Sequence, residues 1–159
     1  MSIANVKKYL EQYGMEGRVM EFSVSSATVE LAAKAVGVEP ARIAKTLSFK
    51  KGDHALLIAV AGDAKVDNRK FKDFFGMKAK MLSPQEAVEL TGHAVGGVCP
   101  FDLPEGAEAY LDRSLQRFET VYPAAGSSNS AVKLSCEELF QVSGAKEWID
   151  VCKGWEEEE

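Results

Sequence analysis

The sequence lacks the features that mark several classes of protein. No stretch approaches the roughly 18 consecutive apolar residues of a membrane span, and the first eight residues lack the apolar core of a signal peptide. We therefore expect a cytoplasmic protein with no membrane contact. Only three of the 159 residues are cysteine and two are histidine, and no cysteine pair has Cys-x-x-Cys spacing. The sequence thus predicts neither a structural disulfide nor a bound metal or other cofactor.

Standard catalytic motifs are missing as well. The chain has no Gly-x-Ser-x-Gly elbow, no P-loop and no His-Glu-x-x-His segment. Cys99 has His93 nearby in sequence, and a nucleophilic pair of these two residues stays open as a minor alternative. Apart from Lys45, the other candidate groups are backbone amides and small polar side chains. Such groups suit electrostatic stabilisation of an attack by water better than covalent catalysis.

The composition is that of one globular domain with an uneven charge distribution. Hydrophobic residues make up 46% of the chain, which at this length allows a proper core. The net charge is −5, yet residues 1–80 carry a net +5 and residues 81–159 a net −10. We expect one domain over residues 1–155 and a disordered acidic tail over 156–159. Six cations form either a basic face for a phosphate backbone or a merely solvated surface: Lys65, Arg69, Lys70, Lys72, Lys78 and Lys80.

A strand-like segment, residues 41–50, carries a lysine where an apolar residue is expected. With a period of two, Ile43, Lys45, Leu47 and Phe49 share one face. A buried lysine is unfavourable unless its charge is paired or its pKa falls. Two interpretations follow: either Lys45 extends from the strand to water, or it lies in a functional pocket.

Capping signals and periodicity predict a mixture of helices and strands. Helices are predicted over 3–13, from an N-cap at Ser25 or Ser26 to 36, and over 67–76, 83–92 and 135–144. The helix from Asp67 is expected to bury Phe71, Phe74 and Phe75. Strands are predicted over 18–22, 41–50, 55–61, 78–81, 107–111, 119–122 and 131–134. The second and third of these form an antiparallel hairpin, and the irregular mixture indicates an α/β or α+β domain with a mixed or largely antiparallel, curved sheet.

Two loops contain residues suited to binding. The segment 92–101 contains Gly96, Gly97 and Pro100, and such a tight loop can direct successive amides at one carbonyl oxygen. A plain turn is the alternative. The segment 124–130 is small and polar and either lines a pocket or forms a plain hairpin loop.

Taken in order, these segments resemble the YbaK/EbsC family, the prolyl-tRNA-synthetase-associated, INS-like aminoacyl-tRNA editing domain. No single motif is specific, but their order over residues 20–142 is. The matching segments are 35–38 (Ala-Val-Gly-Val), 43–49 (Ile-Ala-Lys-Thr-Leu-Ser-Phe), 60–63 (Val-Ala-Gly-Asp), 65–67 (Lys-Val-Asp), 90–92 (Leu-Thr-Gly), 96–101 (Gly-Gly-Val-Cys-Pro-Phe), 111–112 (Leu-Asp) with 114–115 (Ser-Leu), and 125–126 (Ala-Gly).

The resemblance implies a single α/β domain with a mixed, mostly antiparallel, β-barrel-like sheet surrounded by helices. It also implies that a free-standing protein hydrolyses the ester joining a wrong small amino acid to the 3′ end of tRNA, typically tRNA(Pro). A non-catalytic module that binds aminoacyl-tRNA or a nucleotide is the alternative. Lys45 matches the family's lysine, and 96–100 matches its Gly-x-x-x-Pro loop. We expect Lys45 to be catalytic and these residues to bind the substrate: Phe22, Thr46, Gly96, Gly97, Val98, Cys99, Pro100, Gly126 and Ser127.

The mechanism implied by the resemblance needs no metal. The ammonium of Lys45 is expected near the carbonyl, sugar or phosphate oxygens, with the amides of 97–99 at the oxyanion. Water attacks with help from the substrate's own 2′-hydroxyl, because the sequence offers no convincing general base. A tight pocket excludes proline by size.

One departure concerns the amino acid removed. The branch that acts on Cys-tRNA(Pro) has a serine and an aspartate where this chain has Ala125 and Ala131. Alanine or serine is therefore favoured over cysteine. The net acidity predicts weak unaided tRNA binding, so we expect a prolyl-tRNA synthetase or another recruiting partner, and a monomer or weak homodimer.

Overall fold

The computed structural model describes residues 2–155, so the predicted acidic tail, 156–159, lies outside the described residues. Within them are five α-helices: α1 (Ser2–Glu11), α2 (Val29–Val36), α3 (Asn68–Phe75), α4 (Pro84–Thr91) and α5 (Cys136–Ser143). The same residues contain ten strands: β1 (Val19–Glu21), β2 (Ile43–Lys51), β3 (His54–Ala61), β4 (Lys65–Val66), β5 (Glu108–Asp112), β6 (Thr120–Pro123), β7 (Ser130–Val132), β8 (Leu134–Ser135), β9 (Trp148–Ile149) and β10 (Cys152–Lys153). Within residues 2–155, no helix has the length and apolar character that crossing a membrane demands.

The central sheet has six strands in the order β8-β6-β2-β3-β5-β9. The hairpin of β2 and β3 is antiparallel, as predicted, and its register sets Lys45 opposite Val60. Parallel pairs join β2 to β6, β3 to β5 and β5 to β9. Two antiparallel pairs, β1 with β7 and β4 with β10, lie outside this sheet. The prediction of an α/β domain with a mixed, curled sheet is confirmed, and antiparallel pairs outnumber parallel ones by four to three among the described strands.

The sheet is covered on both sides because β3 is apolar on both faces. Leu56, Ile58 and Val60 belong to the main core, whereas Leu57 packs on the other side with Ala87 of α4. Each fully buried leucine there contributes on the order of 2 kcal/mol. Burial on both faces holds β3 in the middle of the sheet. Because β2 pairs with β3, the position of β2 is held as well.

Most helix starts follow the predicted caps. Ser83 and Ser135 form capping boxes, and the Asp67 side chain accepts hydrogen bonds from backbone amides in the first turn of α3. The N-cap predicted at Ser25 or Ser26 is wrong, because Thr28 caps α2 and accepts a hydrogen bond from the Leu31 amide at 3.2 Å. Ser26 instead pairs its backbone with Ser128, which ties the loop before α2 to the loop before β7.

Two further predictions are corrected. Residues 78–81 form no full strand, because they make only one isolated bridge, Phe49 to Met81, beside β2. Phe74 is 43% exposed, because it lies at the edge of the apolar face that Phe71 and Phe75 share. The strands β4, β9 and β10 were not predicted, since two residues are too few for a period to be visible.

Candidate functional site

A cavity of about 210 Å³ opens beside the first half of β2. Its wall is formed by the loop before α2 and the first turn of α2, by β2, and by residues in and before α4. The glycine loop (92–101) and the strands β6 and β7 complete it. Apolar side chains line most of the wall. The polar and charged lining residues are Ser26, Thr28, Lys45, Thr46, Ser48, Tyr122 and Ser130. Of the described residues, Lys45 alone brings a charged side chain to this wall.

Lys45 is half-buried, and its Nζ lies 3.5 Å from the carbonyl oxygen of Gly62. Burial lowers the pKa of Lys45 below its ordinary value, because a desolvated ammonium is disfavoured. The Cys152 thiol is nearby, but burial raises its pKa, so the thiol is uncharged at neutral pH. The carboxylates that favour the ammonium are therefore Asp63 and Glu30. Lys45 is a cation held close to a cavity without a direct ion pair among the described residues.

Both faces of β2 contribute to the cavity. Thr46 and Ser48 alternate with Lys45 along the strand, and all three line the wall. Leu47 and Phe49 share a face with Lys45 but pack into the main core. The predicted burial of this face in the core is therefore confirmed for Leu47 and Phe49 in the second half of β2. Lys45, on the same face, lies at the cavity instead.

Thr46 has a buried hydroxyl oxygen with no hydrogen-bond partner among the described residues. A buried polar atom without a partner is unfavourable by about 1–3 kcal/mol. Because Thr46 also lines the cavity, this hydroxyl belongs to a residue of the cavity wall.

The glycine loop is held in place by a second loop. Gly96 lines the cavity with φ +94°, a conformation that favours glycine. A Cβ on Gly97 would lie 2.7 Å from the Gly126 carbonyl carbon and from the Ser127 nitrogen, so the two loops are in backbone contact. The Gly97 amide donates to the carbonyl of Ala94 at 2.9 Å. The Gly97 amide, which was expected at the oxyanion, is therefore already engaged within the loop.

Cys99 and His93 are close together but remote from solvent. The Cys99 Sγ lies 3.6 Å from the His93 Nε2, and both residues are buried. Burial raises the pKa of the Cys99 thiol to about 12 and lowers that of His93, so the thiolate is scarce at neutral pH. Cys99 does not line the cavity. The minor alternative of a nucleophilic pair therefore finds no support in this geometry.

The structure brings four of the ten predicted site residues to the cavity wall: Lys45, Thr46, Gly96 and Val98. The other six do not line it. Phe22 lies in the chain after β1 and exchanges hydrogen bonds with Asn129. Ser127 bonds the side chains of Asn129 and Ser130. Gly97, Cys99, Pro100 and Gly126 are buried in or behind the two loops.

Several wall residues escaped the sequence-based prediction. Ser48 follows Thr46 on the small, polar face of β2, and that alternation was visible in the sequence. Ser26, Tyr122 and Ser130 come from distant segments that only the fold brings together.

Comparison with known proteins places these features in a family. The model of the aminoacyl-tRNA editing domain matches residues 24–142. The uncharacterized protein YwhH of Bacillus subtilis (strain 168) is 55% identical over 157 residues, which cover 98% of this chain and 100% of that protein. A proline–tRNA ligase of Thermosipho melanesiensis is 27% identical over 126 residues, covering 78% of this chain and 22% of the ligase.

A solved structure, described as that of a candidate trans-editing enzyme for prolyl tRNA synthetase, has a TM-score of 0.86 at 33% identity. The alignment covers 96% of this chain and 98% of that chain. The resemblance inferred from the sequence is thereby confirmed at the level of the domain family. Since the matched residues span most of the chain, including Lys45 and both glycine-containing loops, the chain belongs to the aminoacyl-tRNA editing domain family.

Proposed function

We propose that this protein is a free-standing trans-editing deacylase that removes a wrongly attached small amino acid from tRNA, with tRNA(Pro) as the carrier. The observation that carries the proposal is the cavity wall, in which Lys45 is the one charged side chain among the described residues. The likeness to a proline–tRNA ligase and to a candidate trans-editing enzyme for prolyl tRNA synthetase supports the choice of tRNA(Pro).

The cavity suits the stabilisation of negative charge. The terminal adenosine and its aminoacyl group enter it, and the ammonium of Lys45 interacts with the ester carbonyl oxygen or with nearby ribose and phosphate oxygens. A cation acts more strongly in a partly desolvated site than in water. The Val98 amide is the loop donor for the oxyanion, and the Thr46 hydroxyl is a further polar partner for the substrate.

Hydrolysis proceeds by attack of water on the ester. The water oxygen bonds to the carbonyl carbon and forms a tetrahedral oxyanion. Collapse breaks the bond between that carbon and the ribose 3′ oxygen, which takes up the proton that water loses. No carboxylate, histidine or cysteine of residues 2–155 lines the cavity, so the substrate's 2′-hydroxyl relays the proton. The products are the free amino acid and uncharged tRNA.

The wall favours a small, uncharged amino acid side chain. Ala44, Ala124 and Ala131 contribute methyl groups, and Ser130 contributes a hydroxyl. Ala131 occupies the position where the branch acting on cysteine has an aspartate, so no carboxylate is available there for a thiol. We propose alanine or serine as the amino acid removed and exclusion of proline by size.

The test is a deacylation assay on tRNA(Pro) charged in turn with alanine, serine, cysteine and proline. Wild type should release alanine or serine and leave prolyl-tRNA intact. Lys45→Ala should lower the rate by about a hundredfold or more, since it removes the electrostatic stabilisation of the oxyanion. Lys34→Ala removes an exposed lysine from α2 and serves as the matched control, with an unchanged rate.

Two other outcomes would replace the proposal. If no charged tRNA is hydrolysed while binding is retained, the protein is a non-catalytic binding module. If Cys99→Ala abolishes turnover and Lys45→Ala does not, the chemistry belongs to the buried thiol.

A further inference from the structure

Two lysines face each other directly across a short strand pair. In the antiparallel pairing of β4 with β10, Lys65 lies opposite Lys153, and both side chains are exposed. Opposed Cβ atoms in such a pair are about 5 Å apart, and like charges there destabilise the pairing. Neither lysine takes part in a salt bridge within residues 2–155. The pair is thus a concentration of positive charge without a salt bridge among the described residues.

Nearby carboxylates are already occupied. The carboxylate of Asp63 accepts two hydrogen bonds from the guanidinium of Arg117, at 2.6 and 3.0 Å. Asp150 lies 3.1 Å from Lys70 and 3.5 Å from Arg113.

The carboxylate of Asp67 interacts electrostatically with Lys153, and its Oδ1 accepts hydrogen bonds from the amides of Arg69 and Lys70, which begin α3. These interactions leave Lys65 and Lys153 exposed and without a dedicated partner, in a chain whose net charge is −5.

Lys65 lies near Lys45, which lines the cavity. Lys45 contacts the carbonyl oxygen of Gly62, and a tight turn leads from Gly62 to Lys65, three residues later. Three residues span at most about 11 Å. The charge of Lys65 also opposes that of Lys45 and helps to lower its pKa. A chain of negative groups leaving the cavity past Lys45 would therefore meet Lys65 and then Lys153.

We infer that Lys65 and Lys153 form a phosphate-binding surface for the single-stranded 3′ end of tRNA, at the nucleotides that precede the terminal adenosine. This inference rests on the proposed function, since it takes the cavity as the site of that adenosine. Phosphates between the two ammonium groups would relieve their repulsion and guide the 3′ end toward Lys45. Phosphate contacts supply most of the sequence-independent affinity of nucleic-acid-binding proteins.

The test compares Lys65→Gln/Lys153→Gln with wild type in binding uncharged tRNA over a series of salt concentrations. The variant should bind roughly tenfold more weakly at low salt, and the slope of log K against log salt should fall by about 1.4 for two single-strand contacts. The matched control, Lys8→Gln/Lys133→Gln, removes the same charge from two other exposed lysines that make no ion pair among the described residues, and it should keep both values.

Two further measurements separate RNA binding from other effects. Hydrolysis of 2′(3′)-O-alanyl-adenosine, which has no phosphate, should be unchanged in the variant, while kcat/KM on alanyl-tRNA should fall. The Tm should be equal or higher, because the variant removes a repulsion. A simple loss of folding would lower all of these values together.

The inference is overturned if the variant binds uncharged tRNA with wild-type affinity and salt slope, or if the control loses as much affinity. Its failure is distinguishable from a failure of the proposed function, because binding of uncharged tRNA requires no hydrolysis. The converse result is that wild type hydrolyses alanyl-tRNA while the variant binds uncharged tRNA as tightly as wild type does. That result would support the proposed deacylase function and would contradict the phosphate-binding role of Lys65 and Lys153.

Discussion

Lys45 and Thr46 are adjacent on β2 and point to opposite faces, yet both line the cavity. Each is unfavourable for folding taken alone: one is a half-buried cation, and the other has a buried hydroxyl without a partner. Such local conflicts concentrate at functional sites. At the scale of single residues, the cavity is therefore tested best by changes that separate stability from turnover.

The pH dependence of deacylation should report on Lys45. Burial lowers its pKa, so the active ammonium is lost at a lower pH than for a free lysine, and kcat/KM should fall as the pH rises through that value. Lys45→Arg stays charged and should lose this alkaline decline while keeping part of the activity. Rates are measured from pH 7 to 10 against enzyme-free hydrolysis. Superimposable profiles for the two proteins would contradict an ammonium role.

The same pKa shift has a consequence for stability. The pKa of Lys45 is lower in the folded state than in the unfolded state. Below the folded-state pKa, protonation of Lys45 therefore lowers the free energy of unfolding. This loss of stability is recovered as the pH rises through the folded-state pKa and then through the unfolded-state pKa. Under the proposed mechanism, the charge of Lys45 would therefore serve turnover at the expense of the stability of the fold.

Thr46→Val should separate the two roles of the buried hydroxyl. The change keeps the shape and removes a polar atom without a protein partner, so stability should rise by about 1 kcal/mol. If the hydroxyl binds substrate, kcat/KM should fall by roughly tenfold, the equivalent of one lost hydrogen bond. Urea unfolding and alanyl-tRNA deacylation measure the two effects. Lower stability with unchanged turnover would assign the hydroxyl to the fold instead.

At the scale of elements, the site depends on the contact between two loops. The glycine loop presents Gly96 and Val98 to the cavity because Gly97 rests directly on Gly126 and Ser127. Neither loop has regular secondary structure that would hold it alone. Backbone contact, which requires the absence of a side chain at Gly97, takes the place of a helix or strand.

Gly97→Ala should therefore force the loops apart. The new methyl group would lie within 2.8 Å of three backbone atoms, and such overpacking costs about 1–3 kcal/mol. Deacylation should fall together with stability, because the loop amides move. Gly17→Ala is the matched control, since nothing lies within 4 Å of its Cβ and its φ is not positive. Equal behaviour of the two variants in thermal unfolding would show that the contact is unimportant.

At the scale of the whole molecule, one buried carboxylate joins the sheet to the C-terminal segment. Asp112 is fully buried at the end of β5, where it accepts hydrogen bonds from the amides of Ser114 and Val151, both at 2.9 Å. Val151 precedes β10, so this connection holds β10, and with it Lys153, against β4. Regions far apart in the chain are thus fixed through a single side chain.

Asp112→Asn should show the importance of this connection. The amide group of asparagine has one acceptor oxygen, so one buried backbone amide loses its acceptor, at a cost of about 1–3 kcal/mol. For a chain of this size the Tm should fall by roughly 2–4 °C for each kcal/mol. Asp73→Asn, an exposed carboxylate on α3, should leave the Tm unchanged. A wild-type Tm for Asp112→Asn would contradict the proposed connection.

The sequence by itself determined the elements whose signals are local. The capping boxes at Ser83 and Ser135, the cap at Asp67 and the buried run of β3 depend on neighbouring residues, and the structure confirms all of them. The misplaced lysine on β2 was equally visible, because alternation along a strand requires no tertiary information.

Only the tertiary structure decided how separate segments meet. The contact of Gly97 with Ser127, the opposition of Lys65 and Lys153, and the place of Ser26 and Ser130 in the cavity wall join residues far apart in sequence. The same holds for Cys99, whose sequence position suggested a role in binding but which is buried and does not line the cavity. Local signals determine helices, strands and caps, whereas a site assembled from loops depends on packing between distant segments that no local pattern records.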